Sequence, residues 1–226
     1  MDYIVLDMEW NQAWPGSPAA RRAQIAQLRG EIIQIGAVRI TESRQVADEF
    51  QVMVRNSFFH HLNKQISKLT GIRETQLQAE GIPFPDAIRR FRAWMGDAVC
   101  LLTWGFDDIP ILQENLRLYG LDESWTASWC NAQVIFNAQT DHSGGQKSLK
   151  TAMELFGIAP TRPAHDALGD AYHTALICAR LDLARGTSEY GAALDSFHSG
   201  ATGAELPGFL GRTASYGYPS KRAALE

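Results

Sequence analysis

The chain reads Tyr3-Ile4-Val5-Leu6-Asp7-Met8-Glu9 near its N-terminus, an apolar run that ends in alternating acids. Such a run predicts a buried strand. Side chains two apart on a strand point to the same face, so Asp7 and Glu9 are expected to converge on one spot. Two ionised carboxylates beside an apolar strand repel each other and are costly to desolvate, and a divalent cation removes both difficulties. Taken alone, an Asp-x-Glu pair is more often two exposed acids at a strand end.

Two further β-rich segments follow the first strand. Residues 32–40 and 46–54 are separated by a short polar loop, which is typical of an antiparallel hairpin. Residues 11–30 are interpreted as an insertion with a short helix, because Ser17 and Pro18 resemble an N-cap followed by proline at the first helical position. The arginines of this insertion either guide a substrate or face solvent on an ordinary helix, and the second interpretation is slightly favoured.

Helices and strands alternate through the rest of the chain. Apolar periodicity and capping residues predict short helical pieces at 59–78, helices at 84–95, 107–119, 131–138, 148–156 and 166–185, and strands at 98–104 and 125–130. Gly186 is expected to end the last helix. Residues 187–226, rich in Gly, Ser, Ala and Tyr, predict a flexible tail that can contact a protein partner. This order indicates an α/β protein, a mixed five-stranded sheet flanked by helices, with residues 1–186 as one domain.

A second pair of acids follows the predicted strand at 98–104. Trp104-Gly105-Phe106-Asp107-Asp108 leads into a helix, and a helix N-terminus favours acids, which explains Asp107. Asp108 shares a helix face with apolar residues at offsets of about three, four, eight and eleven, so it is expected to face the sheet. An inward acid at the carboxyl end of a strand lies where open α/β sheets bind ligands.

The third motif is His165-Asp166-Ala167-Leu168-Gly169-Asp170, at the start of the last predicted helix. That helix is apolar almost all round, so Asp170 is expected to be a buried acid that needs a partner. Asp166 is explained as an N-cap. His165, considered alone, is as readily a capping or hydrogen-bonded surface histidine as a functional one. The other histidines have no comparable context and are assigned structural roles.

Together the three motifs are more specific than any one of them. In the order Asp-x-Glu, Asp, then His-x-x-x-x-Asp, they resemble the DEDDh group of DnaQ-like 3′→5′ exonucleases. The resemblance covers roughly residues 2–185 and includes Glu31-Ile32-Ile33-Gln34-Ile35-Gly36-Ala37-Val38 and Leu69-Thr70-Gly71-Ile72. Glu9-Trp10-Asn11-Gln12 and Thr103-Trp104-Gly105 look closest to the KapD-like and histone-mRNA exonuclease-like branch. The resemblance implies a ribonuclease H-like fold.

The same resemblance implies hydrolysis with two metal ions. Members of the group hold two divalent cations, usually Mg²⁺ or Mn²⁺, on either side of the scissile phosphate. Asp7 is expected to contact both ions, Glu9 and Asp170 to complete one site, and Asp108 to support the other. His165 is expected to take a proton from the attacking water. The expected product is a nucleoside 5′-monophosphate released from the 3′ end of single-stranded RNA or DNA, with RNA favoured.

Several further residues are candidates to contact this substrate. Met8, Trp10 and Phe106 are expected to pack on the last bases, because aromatic stacking tolerates any base sequence. For Met8 and Phe106, a place in the protein core is at least as consistent with the sequence. Arg162 and Lys147 are cations within reach of phosphates, as any exposed cation would be.

Two positions depart from the pattern of the resembling proteins. Relatives in this branch tend to carry an acid where Ala132 and Gly169 stand. Neither position belongs to the five-residue set, so the departures concern substrate contacts or local helix geometry rather than catalysis.

Composition restricts the remaining possibilities. A chain of 226 residues with 45% hydrophobic and 20% charged residues is able to bury a globular core. No apolar run is long enough for a membrane helix, no secretory signal is expected, and the scattered cysteines Cys100, Cys130 and Cys178 are interpreted as reduced thiols of a cytoplasmic protein. The net charge of -4 argues against coating of long duplexes but not against a nuclease. Two alternatives stay open: a DNA proofreading or repair subunit, and a catalytically idle nucleic-acid-binding domain.

Overall fold

One five-stranded sheet forms the centre of the protein. A computed structural model describes residues 1–97, 99–140 and 147–198, with side chains through Tyr190. The strands are β1 (Asp2–Asn11), β2 (Glu31–Ile40), β3 (Val46–Met53), β4 (Val99–Thr103) and β5 (Trp129–Asn131). Their order in the sheet is β3-β2-β1-β4-β5, with β2 antiparallel to β1 and β3, and with β4 parallel to β1 and β5. The predicted mixed five-stranded sheet is therefore confirmed.

Helices cover this sheet. They are α1 (Pro18–Ile25), α2 (Lys64–Thr70), α3 (Glu74–Glu80), α4 (Phe84–Met95), α5 (Asp108–Leu118), α6 (Ala132–Thr140), α7 (Leu149–Leu155), α8 (Ala167–Cys178) and α9 (Leu183–His198). The predicted strand at 125–130 is shorter than expected, because Ser124–Thr126 form a 3₁₀ helix and β5 begins only at Trp129. None of the helices in the described part of the chain is long and apolar enough to cross a membrane.

The core lies between the central strands and the helices that pack on them. β2 is almost entirely buried and β1 is mostly buried, and Ile4, Leu101 and Phe91 are examples of fully buried side chains. Burial of one such side chain stabilises the fold by about 1.5–3 kcal/mol. α8 packs along both β2 and β1, and α5 contacts the same two strands. These two helices therefore start and run beside the strand that carries the first acids.

The insertion between β1 and β2 is attached to α5. Ser17 accepts a hydrogen bond from the Ala20 amide at the start of α1, as its capping pattern predicts. Arg29, near the end of the insertion, donates to Glu114 of α5 from its backbone nitrogen (2.8 Å) and from Nε (2.6 Å). Leu28 is buried in a small apolar cluster beside it. The insertion is thus anchored on the helix that begins with Asp108.

The end of the chain differs from the expected single helix at 166–185. α8 ends at Cys178, and Asp182 caps a new helix by accepting a bond from the Arg185 amide (3.1 Å). The expected stop at Gly186 is wrong, since this residue lies inside α9. A Cβ there would meet Ile135 Cγ2 at 2.4 Å, so glycine serves the close approach of α9 to α6. The predicted domain boundary thus falls inside a helix, and residues 199–226 of the predicted tail lie outside the described residues.

Candidate active site

The first two acids lie side by side on β1. Asp7 pairs with Gly36 and Glu9 with Gln34 across the β1–β2 ladder, and both acids are partly buried. Burial raises the pKa of Asp7 well above its usual value, and the nearby carboxylates of Asp108 and Glu9 raise it further. Buried carboxylates therefore lie close enough on and beside this strand to repel one another, which is the electrostatic setting of a cation site.

Asp108 is fixed by the backbone of that same strand. It is the first residue of α5, is only 6% exposed, and accepts a hydrogen bond from the Met8 amide at 3.1 Å. Burial, and then the charge of Asp107, raise the pKa of Asp108 to about 8, while the bond from Met8 opposes the rise. Asp107 instead lies partly exposed and pairs with Arg29 at 3.4 Å. Of the two adjacent acids, Asp108 is the one that the fold places beside Asp7.

A glycine in β2 brings the fourth acid to this place. A Cβ at Gly36 would lie 2.1 Å from the Leu168 nitrogen and 2.2 Å from the Ala167 carbonyl carbon, so α8 crosses the strand in backbone contact. Asp170, near the start of α8, is thereby carried to the neighbourhood of β1. Burial raises the pKa of Asp170, and a hydrogen bond from the His165 amide opposes that rise.

The first turn of α8 is also tied to β2 through Gln34. Its Oε1 accepts from the Ala167 amide (3.0 Å), and its Nε2 donates to Asp166 Oδ1 (2.8 Å). Asp166 caps the helix by accepting from the Gly169 amide at 2.9 Å. No role was predicted for Gln34 or Gly36 from the sequence. A glycine among Ile and Val residues of a strand is the feature that could have indicated a close backbone approach.

His165 joins the acids from the loop before α8. It is exposed, its backbone φ is 58°, and its amide donates to Asp170 Oδ2 at 2.9 Å. One ligand atom each of Glu9, His165 and Asp170 lie within 4.8 Å of one another. These three residues gather at one point, and Asp7 interacts electrostatically with Glu9 and Asp170. The predicted set of five is therefore assembled around β1, and its carboxylate oxygens and imidazole nitrogen are suitable ligands for a divalent cation.

The predicted base-stacking residues are placed differently from one another. Met8 is 2% exposed and Phe106 8% exposed, and the Phe106 ring packs edge-on against Trp129 with 6.3 Å between ring centroids. Trp10 is partly exposed and its ring lies against Gly30, where a Cβ would meet Trp10 Cδ1 at 2.2 Å. Met8 and Phe106 thus belong to the core, and a base could reach them only after a local rearrangement.

The structure also describes the surroundings of Arg162 and Lys147, the two cations considered as phosphate contacts. Arg162 makes a two-nitrogen ion pair with Glu49, at 2.7 Å and 2.9 Å. The Lys147 carbonyl accepts hydrogen bonds from Trp104 Nε1 (3.2 Å) and Gln133 Nε2 (2.6 Å), which fix the backbone there. The structure therefore gives Arg162 a partner within the protein.

Both departures from the resembling proteins have a local explanation. Ala132, at the start of α6, is fully buried in the main core, where an acid would be costly. A Cβ at Gly169 would lie 2.4 Å from the Pro163 carbonyl oxygen. The loop before α8 therefore runs too close to the helix for any larger side chain at position 169.

The topology and the cluster together define the class of protein. A sheet in the order β3-β2-β1-β4-β5, with acids on its central strand and in the first turns of two helices beside it, is a ribonuclease H-like fold of the DnaQ type. The sequence matches the exonuclease family RNase_T over residues 5–178, and the chain belongs to this DEDDh exonuclease family. The resemblance noted from the motifs is confirmed. None of the curated proteins compared with the sequence matches it.

Solved structures with this fold include several nucleases. The nuclease domain of 3′hExo, a DEDDh family member bound to rAMP, is 23% identical with a TM-score of 0.68, over 79% of this chain and 90% of that one. Cell-death related nuclease 4 is 18% identical with a TM-score of 0.66, over 79% of this chain and 62% of that one. Exonuclease I of E. coli in complex with a dT13 oligonucleotide is 15% identical with a TM-score of 0.61, over 86% of this chain and 43% of that one. The chain spans less than two thirds of the length of the last two proteins.

Proposed function

We propose that this protein is a metal-dependent 3′→5′ exonuclease that releases nucleoside 5′-monophosphates from single-stranded nucleic acid, with RNA preferred over DNA. The observation that carries the proposal is the convergence of four acids and one histidine around β1. The raised pKa of Asp7, caused by burial and by the neighbouring carboxylates, supports it, because acids that only stabilise a fold are seldom arranged to repel one another.

The donor set fits divalent cations. Asp7, Glu9, Asp108 and Asp170 offer carboxylate oxygens, the ligands that hard cations prefer, and their mutual repulsion is relieved when a cation binds. We assign these four residues as ligands of two ions, Mg²⁺ or Mn²⁺. When bound, such ions activate water and stabilise the charge that develops on the leaving oxygen.

His165 has the position and chemistry of a general base. Its side chain is exposed in the loop before α8, and one of its ring nitrogens lies near the Glu9 and Asp170 carboxylates. A neutral imidazole nitrogen can take a proton from the attacking water, and the exposed ring can return it to solvent. The hydrogen bond from the His165 amide to Asp170 holds the base beside the acids.

Two of the similar solved structures support the proposed preference for RNA. One is the 3′hExo nuclease domain bound to rAMP, and another is a 3′-exonuclease whose structure concerns recognition of the histone mRNA stem-loop, 21% identical to this chain. E. coli Exonuclease I, in complex with DNA, supports the competing DNA substrate at lower identity. A cytoplasmic location is proposed as well, supported by Cys100, Cys130 and Cys178, which are all buried and free.

The decisive experiment compares matched RNA and DNA oligomers labelled at the 5′ end, incubated with purified protein and Mn²⁺ or Mg²⁺. We expect a ladder of products shortened from the 3′ end, nucleoside 5′-monophosphates by mass spectrometry, and no cleavage of circular substrates. His165→Ala should lower turnover by about 10²- to 10⁴-fold while Mn²⁺ binding changes little. Asp107→Asn, one position from the proposed ligand Asp108, is the matched control and should remain active.

Three outcomes would reject parts of the proposal. Intact RNA and DNA, bound equally well by the wild type and by Asp7→Asn, would identify a catalytically idle binding domain. Faster hydrolysis of DNA than of RNA would reject the proposed preference for RNA and favour an enzyme that acts on DNA. Turnover that is unchanged in His165→Ala would remove the general-base assignment.

A further inference from the structure

The loop that carries His165 is held at both of its ends. At the first end, the Thr161 amide donates to Nε2 of His173, a buried residue of α8, at 3.1 Å. At the other end, Asp166 Oδ1 accepts from Gln51 Nε2 of β3 at 3.2 Å. His165 lies between these attachments, so its position depends on how the intervening backbone is supported.

Arg162 provides that support inside the loop. Its two terminal nitrogens donate to the two carboxylate oxygens of Glu49, at 2.7 Å and 2.9 Å, and its guanidinium carbon lies 3.7 Å from the centroid of the Tyr172 ring. A guanidinium held by two parallel bonds and by a ring face has a fixed orientation, unlike a single exposed ion pair. We call Arg162, Glu49 and Tyr172 the Arg162 clamp.

The clamp joins the loop to an edge of the sheet. Glu49 and Gln51 are two residues apart on β3, so their side chains point to the same face. They bind Arg162 and Asp166, and only three residues, 163–165, lie between those two points. β3 is the outermost strand on that side of the sheet, which explains how its side chains reach the loop.

His165 needs such support because its conformation is unfavourable. Its φ of 58° is in the left-handed region, which costs energy for any residue with a Cβ, and its side chain is exposed. An unsupported loop residue would leave this conformation readily and move its ring away from Glu9 and Asp170. In the arrangement that the clamp supports, the His165 amide donates to Asp170 Oδ2 at 2.9 Å.

We infer that the Arg162 clamp positions His165 for proton transfer, so that Arg162 and Glu49 are positioning residues rather than phosphate-binding or purely structural ones. This inference rests on the proposed exonuclease function. An ion pair near the surface contributes little to stability, whereas a small displacement of a catalytic group has a large effect on rate. Arg162 already has its charge paired with Glu49, which opposes a role in binding phosphate.

The first test is a double-mutant cycle on oligomer hydrolysis. Arg162→Gln and Glu49→Gln should each lower kcat about tenfold with KM within about twofold, and the double variant should be no slower than either single variant. Tyr172→Phe keeps a ring face under Arg162 and should keep most of the rate that Tyr172→Leu loses. Arg92→Gln is the matched control, because Arg92 also pairs with an acid (Asp97, 3.3 Å) and lies over a ring (Trp125, 4.8 Å), but on α4. It should leave kcat unchanged.

The second test asks whether the effect passes through His165. In the His165→Ala background, Arg162→Gln should cost no further rate, because the base that it positions is gone. A further tenfold loss there, or a rise in KM with unchanged kcat, would overturn the inference and indicate direct phosphate binding or a general structural role.

A third measurement does not depend on activity. Hydrogen exchange of the His165 amide should be faster in Arg162→Gln and Glu49→Gln than in wild type, and unchanged in Arg92→Gln. If the wild type hydrolyses no oligomer, the proposed function fails, and unchanged exchange at His165 would then overturn the clamp separately. Faster exchange without hydrolysis would support the clamp as a device that holds the loop.

Discussion

Replacing Asp108 with asparagine should stabilise the protein in the absence of divalent cations and abolish hydrolysis. The carboxyl is buried, and its pKa is raised to about 8 chiefly because burial disfavours the charged form. Its unfolded value is near 3.8. Between these two values the folded chain holds a proton that the unfolded chain releases, so the stability of the folded state falls as the pH rises through this window.

The magnitude follows from the width of that window. The interval from pH 3.8 to pH 7 is about three pH units, and each unit corresponds to about 1.4 kcal/mol. The carboxyl therefore lowers the free energy of unfolding of the metal-free protein by roughly 4 kcal/mol at pH 7. Asparagine removes this cost and keeps an oxygen that accepts the bond from the Met8 amide. Its buried amide nitrogen needs a partner, which costs about 1–2 kcal/mol. We therefore expect Asp108→Asn to raise the free energy of unfolding by about 2 kcal/mol at pH 7. At pH 5, which is close to the unfolded pKa, we expect almost no gain.

Urea unfolding followed by tryptophan fluorescence measures this difference, with chelator present at pH 5 and pH 7 and then with Mn²⁺. Mn²⁺ should stabilise the wild type more than Asp108→Asn, because a cation relieves the repulsion that the variant no longer has. Asp107→Asn is the control, since it removes only a partly exposed ion pair with Arg29 and should change the free energy of unfolding by about 1 kcal/mol or less. A metal-free Asp108→Asn protein that is less stable than wild type at pH 7 would refute the reasoning.

Three further predictions concern how α8 and its preceding loop are placed. Gly36→Ala should lower the free energy of unfolding by about 1–3 kcal/mol and reduce turnover, because its Cβ would overlap the Leu168 backbone; full stability in a urea titration would contradict this. Burial lowers the pKa of His173, so the contribution of this residue to stability should be lost as the pH drops below about 6.5, against the opposite trend that Asp108 imposes. In His173→Gln, metal-free stability should therefore rise more steeply between pH 7 and pH 5 than in the wild type, and an identical slope would argue against it. Gly169→Ala should raise the activation free energy of single-turnover hydrolysis by more than it lowers the free energy of unfolding, because its Cβ would displace the loop at Pro163. Equal changes in the two free energies would indicate a general packing defect.

The local sequence pattern was sufficient to predict much of the fold. The predicted helix at 84–95 has the bounds of α4, because Pro83, the amphipathic period and Gly96 all act within the segment itself. The division between α8 and α9 was not predicted, since the apolar period continues across it. The Asp182 cap, a local contact with the Arg185 amide, starts the new helix. Gly186 is accommodated by packing against Ile135 of α6, which is a contact with a distant part of the chain.

The candidate site was predictable to a different degree at each residue. Helix periodicity distinguished Asp108 from Asp107, and the structure buries Asp108 in the first turn of α5 while Asp107, the residue before that helix, is partly exposed. Strand alternation already placed Met8 on the face opposite to Asp7 and Glu9, so its burial was available from the same rule that paired the acids. The burial of Phe106 against Trp129 depends on the loop after β4 meeting β5, which no local pattern records.

The hydrogen bond from the Met8 amide to Asp108 affects which substitutions the site can accept during evolution. The donor is a main-chain group, so any side chain that fits the core at position 8 leaves the third acid where it is. Proline is the exception, since it has no amide hydrogen. Position 8 can therefore drift in sequence among relatives while the spacing of the acids is inherited unchanged.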